Sequence, residues 1–121
     1  MGRSKHEVQA IVSGELSSIE DPAIRAALQA TMIDPREETR TEDWLPSKPS
    51  HKCWIIGDLH ERNVGIAFSE DYPRAQGHRW GLVFLTYSDS ISGRESWYST
   101  LEMLYRDYGP WPSPKPPANA A

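Results

Sequence analysis

The chain is poor in several things, and each shortage narrows what it can be. It holds one cysteine, Cys53, so no internal disulfide can form and nothing points to an oxidising compartment. It has no long apolar run: the first segment after Met1 is broken by Gln9, Ser13, Gly14 and Glu15. A secretory signal needs an unbroken apolar core and a membrane helix a longer one, so the expected location is cytoplasmic, with no membrane partner. The opening residues MGRSKH also miss the myristoylation pattern, which wants Ser or Thr where His6 stands. Positive charge is outweighed, with Lys+Arg 13 against Asp+Glu 17 and a net charge of −4. That balance gives no electrostatic reason to approach nucleic acid or an anionic membrane and favours a partner with a basic face.

Catalytic signatures are equally scarce. The chain carries no Gly-x-Ser-x-Gly, no Gly-x-Gly-x-x-Gly and no phosphate-binding loop. Zinc would need more cysteines or histidines at ligand spacing than Cys53 and the four histidines provide. Cys53 could pair with His51 for nucleophilic or metal chemistry, but a cysteine inside an apolar run is better read as a small core hydrophobe. No cofactor is expected, and no catalytic residue is assigned.

What is present suits one small domain. A chain of 121 residues buries about two-thirds of the surface its unfolded state exposes, enough to fold without staples. Val8, Ile11, Val12, Leu16 and Ile19 recur at helical spacing, and Ser4 with Glu7 makes a capping box in front of them. Gly14 weakens the middle of that helix and invites a break or bend. A second helix is expected from Asp21-Pro22, a cap followed by a first-turn proline, through Ile24, Ala27, Leu28 and Met32, ending at Pro35.

Residues 34–52 read as an acidic surface connection, with a short edge strand near Thr39–Trp44 and with Trp44 and Leu45 anchoring it to the core. Cys53–Ile56, Val64–Phe68 and Trp80–Thr86 are the strand candidates, the last so apolar that both its faces should be buried. A third helix, capped by Ser99 and Glu102, runs through Leu101, Leu104, Tyr105 and Tyr108 to Gly109-Pro110. The expected fold class is α+β, in the order α-α-β-β-β-α, with a small antiparallel sheet of three or four strands and helices packed on one face. Residues 1–109 form the domain, and 110–121, with five prolines among them, form a disordered tail in which Trp111 alone is expected to touch the domain.

The sharpest motif is Trp54-Ile55-Ile56-Gly57-Asp58-Leu59-His60. It resembles the first motif of calcineurin-like metallophosphoesterases, and that resemblance implies Asp58 and His60 as metal ligands of a hydrolase. The family's further Gly-Asp, Gly-Asn-His and later histidines have no counterparts here. The same string resembles the catalytic loop of aminoglycoside-phosphotransferase-like kinases, which implies Asp58 as the catalytic aspartate and Asn63 as a magnesium ligand. The Gly-rich loop and strand lysine of a kinase are missing, and the chain is too short for two lobes. The simpler reading is a hairpin turn closed by Asp58 and Asn63.

Aromatics are abundant, with five Trp and five Tyr. Trp54 and Trp80 belong to strands, whereas Tyr72, Tyr87, Trp97 and Tyr98 lie in or beside polar loops. Singly, each loop ring is best read as capping the edge of the core; together, beside Asp and Glu, they describe an interaction surface. The strings Cys53-Trp54-Ile55, Gly65-Ile66-Ala67, Trp80–Leu85 and Trp97–Glu102 resemble those of small bacterial proteins that include toxin-neutralising immunity proteins. That resemblance implies a cytosolic protein-binding module whose partner is another protein, such as a toxin with a basic face. The candidate surface is Glu37, Glu38, Glu42, Asp43, Glu70, Asp71 and Trp97. The alternatives are the metal-dependent hydrolase at Asp58 and His60 and a homodimer subunit paired through the edge strand and spare aromatics.

Overall fold

The computed structural model describes residues 3–59, 63–72 and 77–108. His60, Gly109, Pro110, Trp111 and the rest of the expected tail lie outside the described residues.

Helix α1 (Lys5–Ser17) begins at the expected capping box. The Ser4 hydroxyl accepts from the Glu7 N–H at 3.2 Å, and the Glu7 carboxylate accepts from the Ser4 N–H at 2.8 Å. The helix passes through Gly14 unbroken, because Val8, Val12 and Leu16 on its buried face hold it to the core. Helix α2 (Pro22–Gln29) starts at Asp21, whose carboxylate accepts from the N–H groups of Ala23 and Ile24.

Beyond α2 the chain departs from expectation. The helix stops at Gln29, not at Pro35, and Met32 opens a ten-residue strand, β1 (Met32–Thr41). Pro35 is accommodated because β1 is an edge strand and its register shifts between Met32 and Arg36, so the missing N–H interrupts no ladder bond. Strands β2 (Ser50–Asp58), β3 (Val64–Phe68), β4 (Trp80–Phe84) and β5 (Trp97–Tyr98) follow. The sheet therefore has five strands in the order β1-β2-β3-β4-β5, every neighbouring pair antiparallel. The α+β class holds; the edge strand expected near Thr39–Trp44 lies earlier and is longer, as β1 (Met32–Thr41), and β5 adds a fifth strand, so the strand count and element order differ from the α-α-β-β-β-α expectation.

Helix α3 (Leu101–Tyr108) also starts differently. Its first turn is capped by the Thr100 hydroxyl, which accepts from the Met103 N–H at 3.0 Å, and by Glu15 of α1, which accepts from the Leu101 N–H at 2.8 Å. Glu102 instead pairs with Arg106 one turn on, at 2.8 Å. Among the described residues no helix is long and apolar enough to cross a membrane.

Strand alternation divides the sheet between two cores. Trp80, Leu82, Ile66, Phe68 and Ile56 face the helices and meet Val8, Leu28, Leu101 and Leu104. Cys53, Ile55, Ala67 and Val83 face the other way and meet Tyr72 and Ile91, which come from loops, and Trp97 of β5. The helices do lie on one face, and the opposite face is sealed by loop residues and by Trp97 of β5. This two-sided cover explains why β4 reads as a nearly unbroken apolar run.

The connection from β4 to β5 makes that second cover. It crosses to the far edge of the sheet, where the Thr41 N–H donates to Asp89 O at 2.9 Å and the Ile91 N–H to Thr41 O at 2.8 Å. Arg40, only 2% exposed, donates to Ser90 O at 3.0 Å and to Glu38 at 2.9 Å. Tyr72 and Trp97 add hydrogen bonds to Ser92 O and Ile91 O at 3.0 and 2.9 Å. Three side chains from distant positions thus hold the crossing segment against the sheet.

Candidate functional site

One end of the sheet gathers the turn after β1, the loop after β3 and the 3-10 turn Arg94–Ser96 that precedes β5. The turn between β1 and β2 is built from backbone bonds: Glu42 N–H to Pro49 O, Leu45 N–H to Glu42 O and Lys48 N–H to Leu45 O. Lys48 adopts a left-handed conformation, φ 47°, to close it. The loop after β3 is fixed by Ser69, a buried hydroxyl that donates to Lys52 O at 2.8 Å and accepts from the N–H groups of Asp71 and Tyr72.

These elements line three adjoining clefts. One, of about 570 Å³, lies between Trp44 and Leu45 on one side and Tyr72, Gly93, Arg94 and Glu95 on the other, with Glu42 in its wall. A second, of about 450 Å³, is bounded by Pro49, Ser50, His51, Glu70 and Asp71. The third, of about 440 Å³, has Trp54 and Phe68 in its lining, with Arg3, Lys52, Glu37, Glu70 and Asp71 around them.

The structure brings most of the expected acidic residues to this end but leaves them unequal. Glu37, Glu70 and Asp71 share the third cleft, and Glu42 lines the first. Glu70 is clamped by Arg3 at 2.8 and 3.0 Å and approached by Arg79 at 3.8 Å. Glu37 faces Lys52 at 3.8 Å, and Glu42 meets His51 Nε2 at 2.7 Å. Glu38 lies between Arg36 and Arg40, 3.0 and 2.9 Å away, and serves the fold rather than the surface. Asp43 and Asp71 are exposed and make no ion pair among the described residues.

Trp97 corrects the expectation directly. It is 2% exposed, with its indole N–H bonded to Ile91 O, and so cannot be a surface contact. Tyr72 is likewise buried, its ring 4.9 Å from that of His51 and 5.7 Å from that of Trp97. Burial pushes its phenol up, with Glu42 adding to the shift. Trp44 was expected to anchor the turn, yet it is 48% exposed, and Tyr87 stands fully in solvent. The signal for Trp44 is that it occupies an acidic turn between Glu42, Asp43 and Pro46, with no apolar neighbour at strand or helix spacing and only Leu45 beside it.

Two residues of the motifs that resembled enzyme loops make structural hydrogen bonds. Asp58 ends β2, half-buried, with its N–H bonded to Thr31 O at 2.8 Å; His60 lies outside the described residues. Asn63, left-handed at φ 56°, accepts from the Thr86 N–H and hydroxyl and donates to Thr86 O, which ties the turn after β2 to the end of β4. Those bonds occupy both ends of its amide. Among the described residues no group of three or more His, Cys, Asp or Glu is placed to hold a metal ion. Cys53 is fully buried, and burial pushes its thiol up to about 12, the wrong direction for a nucleophile.

No protein-family model matches the chain, and neither the curated proteins nor the solved structures contain a match to it.

Proposed function

We propose that the chain is a protein-binding module that recognises a basic face on another protein, as a toxin-neutralising protein would. The observation that carries this reading is the convergence of a half-exposed tryptophan, Trp44, with Glu42 and Asp71 around clefts on the strand-anchored end of the sheet, with the exposed Asp43 between Glu42 and Trp44 in the same turn. Binding surfaces concentrate their affinity in aromatic anchors, with charge complementarity setting partner choice and association rate. The net charge of −4 acts in the same direction over longer range. Because strands and a bonded turn hold the site, little conformational freedom would be lost on binding.

A homodimer through the outer edge of β1 is less well supported. That edge carries Asp34, Pro35, Arg36, Glu37 and Glu38, and Lys5 and Gln9 of α1 reach Asp34 at 2.8 and 3.3 Å. Charge and proline on an edge strand oppose pairing with a second copy.

The test is charge reversal. Asp43→Lys combined with Asp71→Lys changes two exposed carboxylates that make no ion pair among the described residues and should leave the melting temperature near that of the parent. Partner capture should fall at least tenfold. Equal capture by parent and variant would remove the acidic surface from the account.

A further inference from the structure

Resting on that binding-module reading, we infer that the cleft beside Trp44 is the receptacle for one cationic side chain, an arginine or lysine, presented by the partner protein. Three features converge on this chemistry. The indole of Trp44, 48% exposed, supplies an aromatic surface at the cleft wall, and aromatic faces attract guanidinium and ammonium groups. The Glu42 carboxylate is held in the wall by His51 at 2.7 Å, with its side chain only 17% exposed, so it is positioned before any ligand arrives. The third is Glu95, whose two carboxylate oxygens lie back over Gly93.

Gly93 is what permits the Glu95 position. A Cβ there would sit 2.6 Å from both carboxylate oxygens, closer than real contacts allow. Gly93 is in an extended conformation, φ −73° and ψ 166°, that any residue adopts, so a methyl group would displace the carboxylate without straining the backbone. The cleft thus has one carboxylate held in place, Glu42, a second, exposed one, Glu95, and one indole against a single cation in its lining, Arg94. Its volume of about 570 Å³ lies within the range of small-ligand sites, roughly 300–1,000 Å³.

The test uses the full chain labelled with ¹⁵N and three short probes: acetyl-Gly-Arg-Gly-amide, its lysine analogue and its citrulline analogue, which keeps the shape of arginine without the charge. The chain has five tryptophans, and Trp44→Phe identifies the Trp44 indole resonance. The arginine or lysine probe should shift that resonance saturably. The citrulline probe should not, and Glu95→Gln and Gly93→Ala should each weaken the response at least fivefold. An equal response to citrulline, or no movement of the Trp44 resonance in a folded chain, overturns the assignment. The broader reading has a separate readout: if Asp43→Lys with Asp71→Lys abolishes partner capture while Trp44→Ala and Glu95→Gln leave it within twofold, the receptacle fails and the binding module stands.

Discussion

Gly81 of β4 lies against the indole of Trp97: a Cβ on the glycine would come within 2.3 Å of the ring carbons Cδ2 and Cε2. The contact sets the distance between the sheet and the loop-built second core, because Trp97 is also bonded to Ile91 O and packed edge-on to Tyr72. Gly81→Ala should therefore destabilise the fold by about 1–3 kcal/mol, the usual cost of overpacking a filled core. Urea unfolding checks it, and Gly81→Val should cost more.

Gly14 is the contrasting case, since a Cβ there meets nothing within 4 Å and the residue is helical. Gly14→Ala should raise stability by about 0.5–1 kcal/mol through a smaller loss of chain entropy. The same unfolding experiment reads both signs.

Arg40 fastens the crossing segment, and its side chain is 3% exposed. Arg40→Ala would leave the carbonyls of Ser88 and Ser90 without this donor and Glu38 with Arg36 alone. The expected cost is roughly 3 kcal/mol, the low end for breaking a buried pair, because Glu38 keeps Arg36 and some solvent. Arg40→Lys should recover only part of it, since an ammonium lacks the fork that reaches both carbonyls and the carboxylate.

Alkali should weaken the fold in two steps. Burial pushes the Cys53 thiol from 9.0 up to about 12. Burial, with help from Asp107 at 2.6 Å, pushes the Tyr98 phenol from 10.0 up to about 12. Both groups keep their protons longer in the folded state than in the unfolded one, so the unfolded state binds fewer protons and stability falls as pH rises. The Cys53 contribution is intact below pH 9 and that of Tyr98 below pH 10; both are lost by about pH 12. Cys53→Ala should flatten the decline from pH 9, and Tyr98→Phe the decline from pH 10. The native thiol should also resist maleimide labelling until the chain unfolds.

The sequence was most legible where local chemistry decides structure. Ser4 with Glu7 and Asp21 with Pro22 mark helix starts because cap and first turn lie within four residues of each other. The apolar runs of β2, β3 and β4 were legible for the same reason. The strand β1 was not, because alternating charges around Pro35 look like a loop until the strand is seen to be an edge whose bulge absorbs the proline. Trp97 and Trp44 were exchanged in the reading of the surface. Trp97 follows a polar loop, but its cover comes from Tyr72 and Ile91 and its close contact from Gly81, whose approach no local pattern encodes. Glu95 escaped notice because its position depends on a bare Gly93 beneath it. Of the acidic residues, composition alone could not separate Glu38, spent between two arginines, from the exposed Asp43 and Asp71.

The most direct test of the account is partner capture from the native host by the tagged parent chain and by the Asp43→Lys, Asp71→Lys double variant, at low and high salt, with the fold of both checked by thermal melting. The account predicts a stoichiometric partner with a basic surface that binds the parent, weakens with salt and is lost at least tenfold by the variant. A parent chain that elutes alone, or a partner held equally by both chains and at every salt concentration, would contradict it.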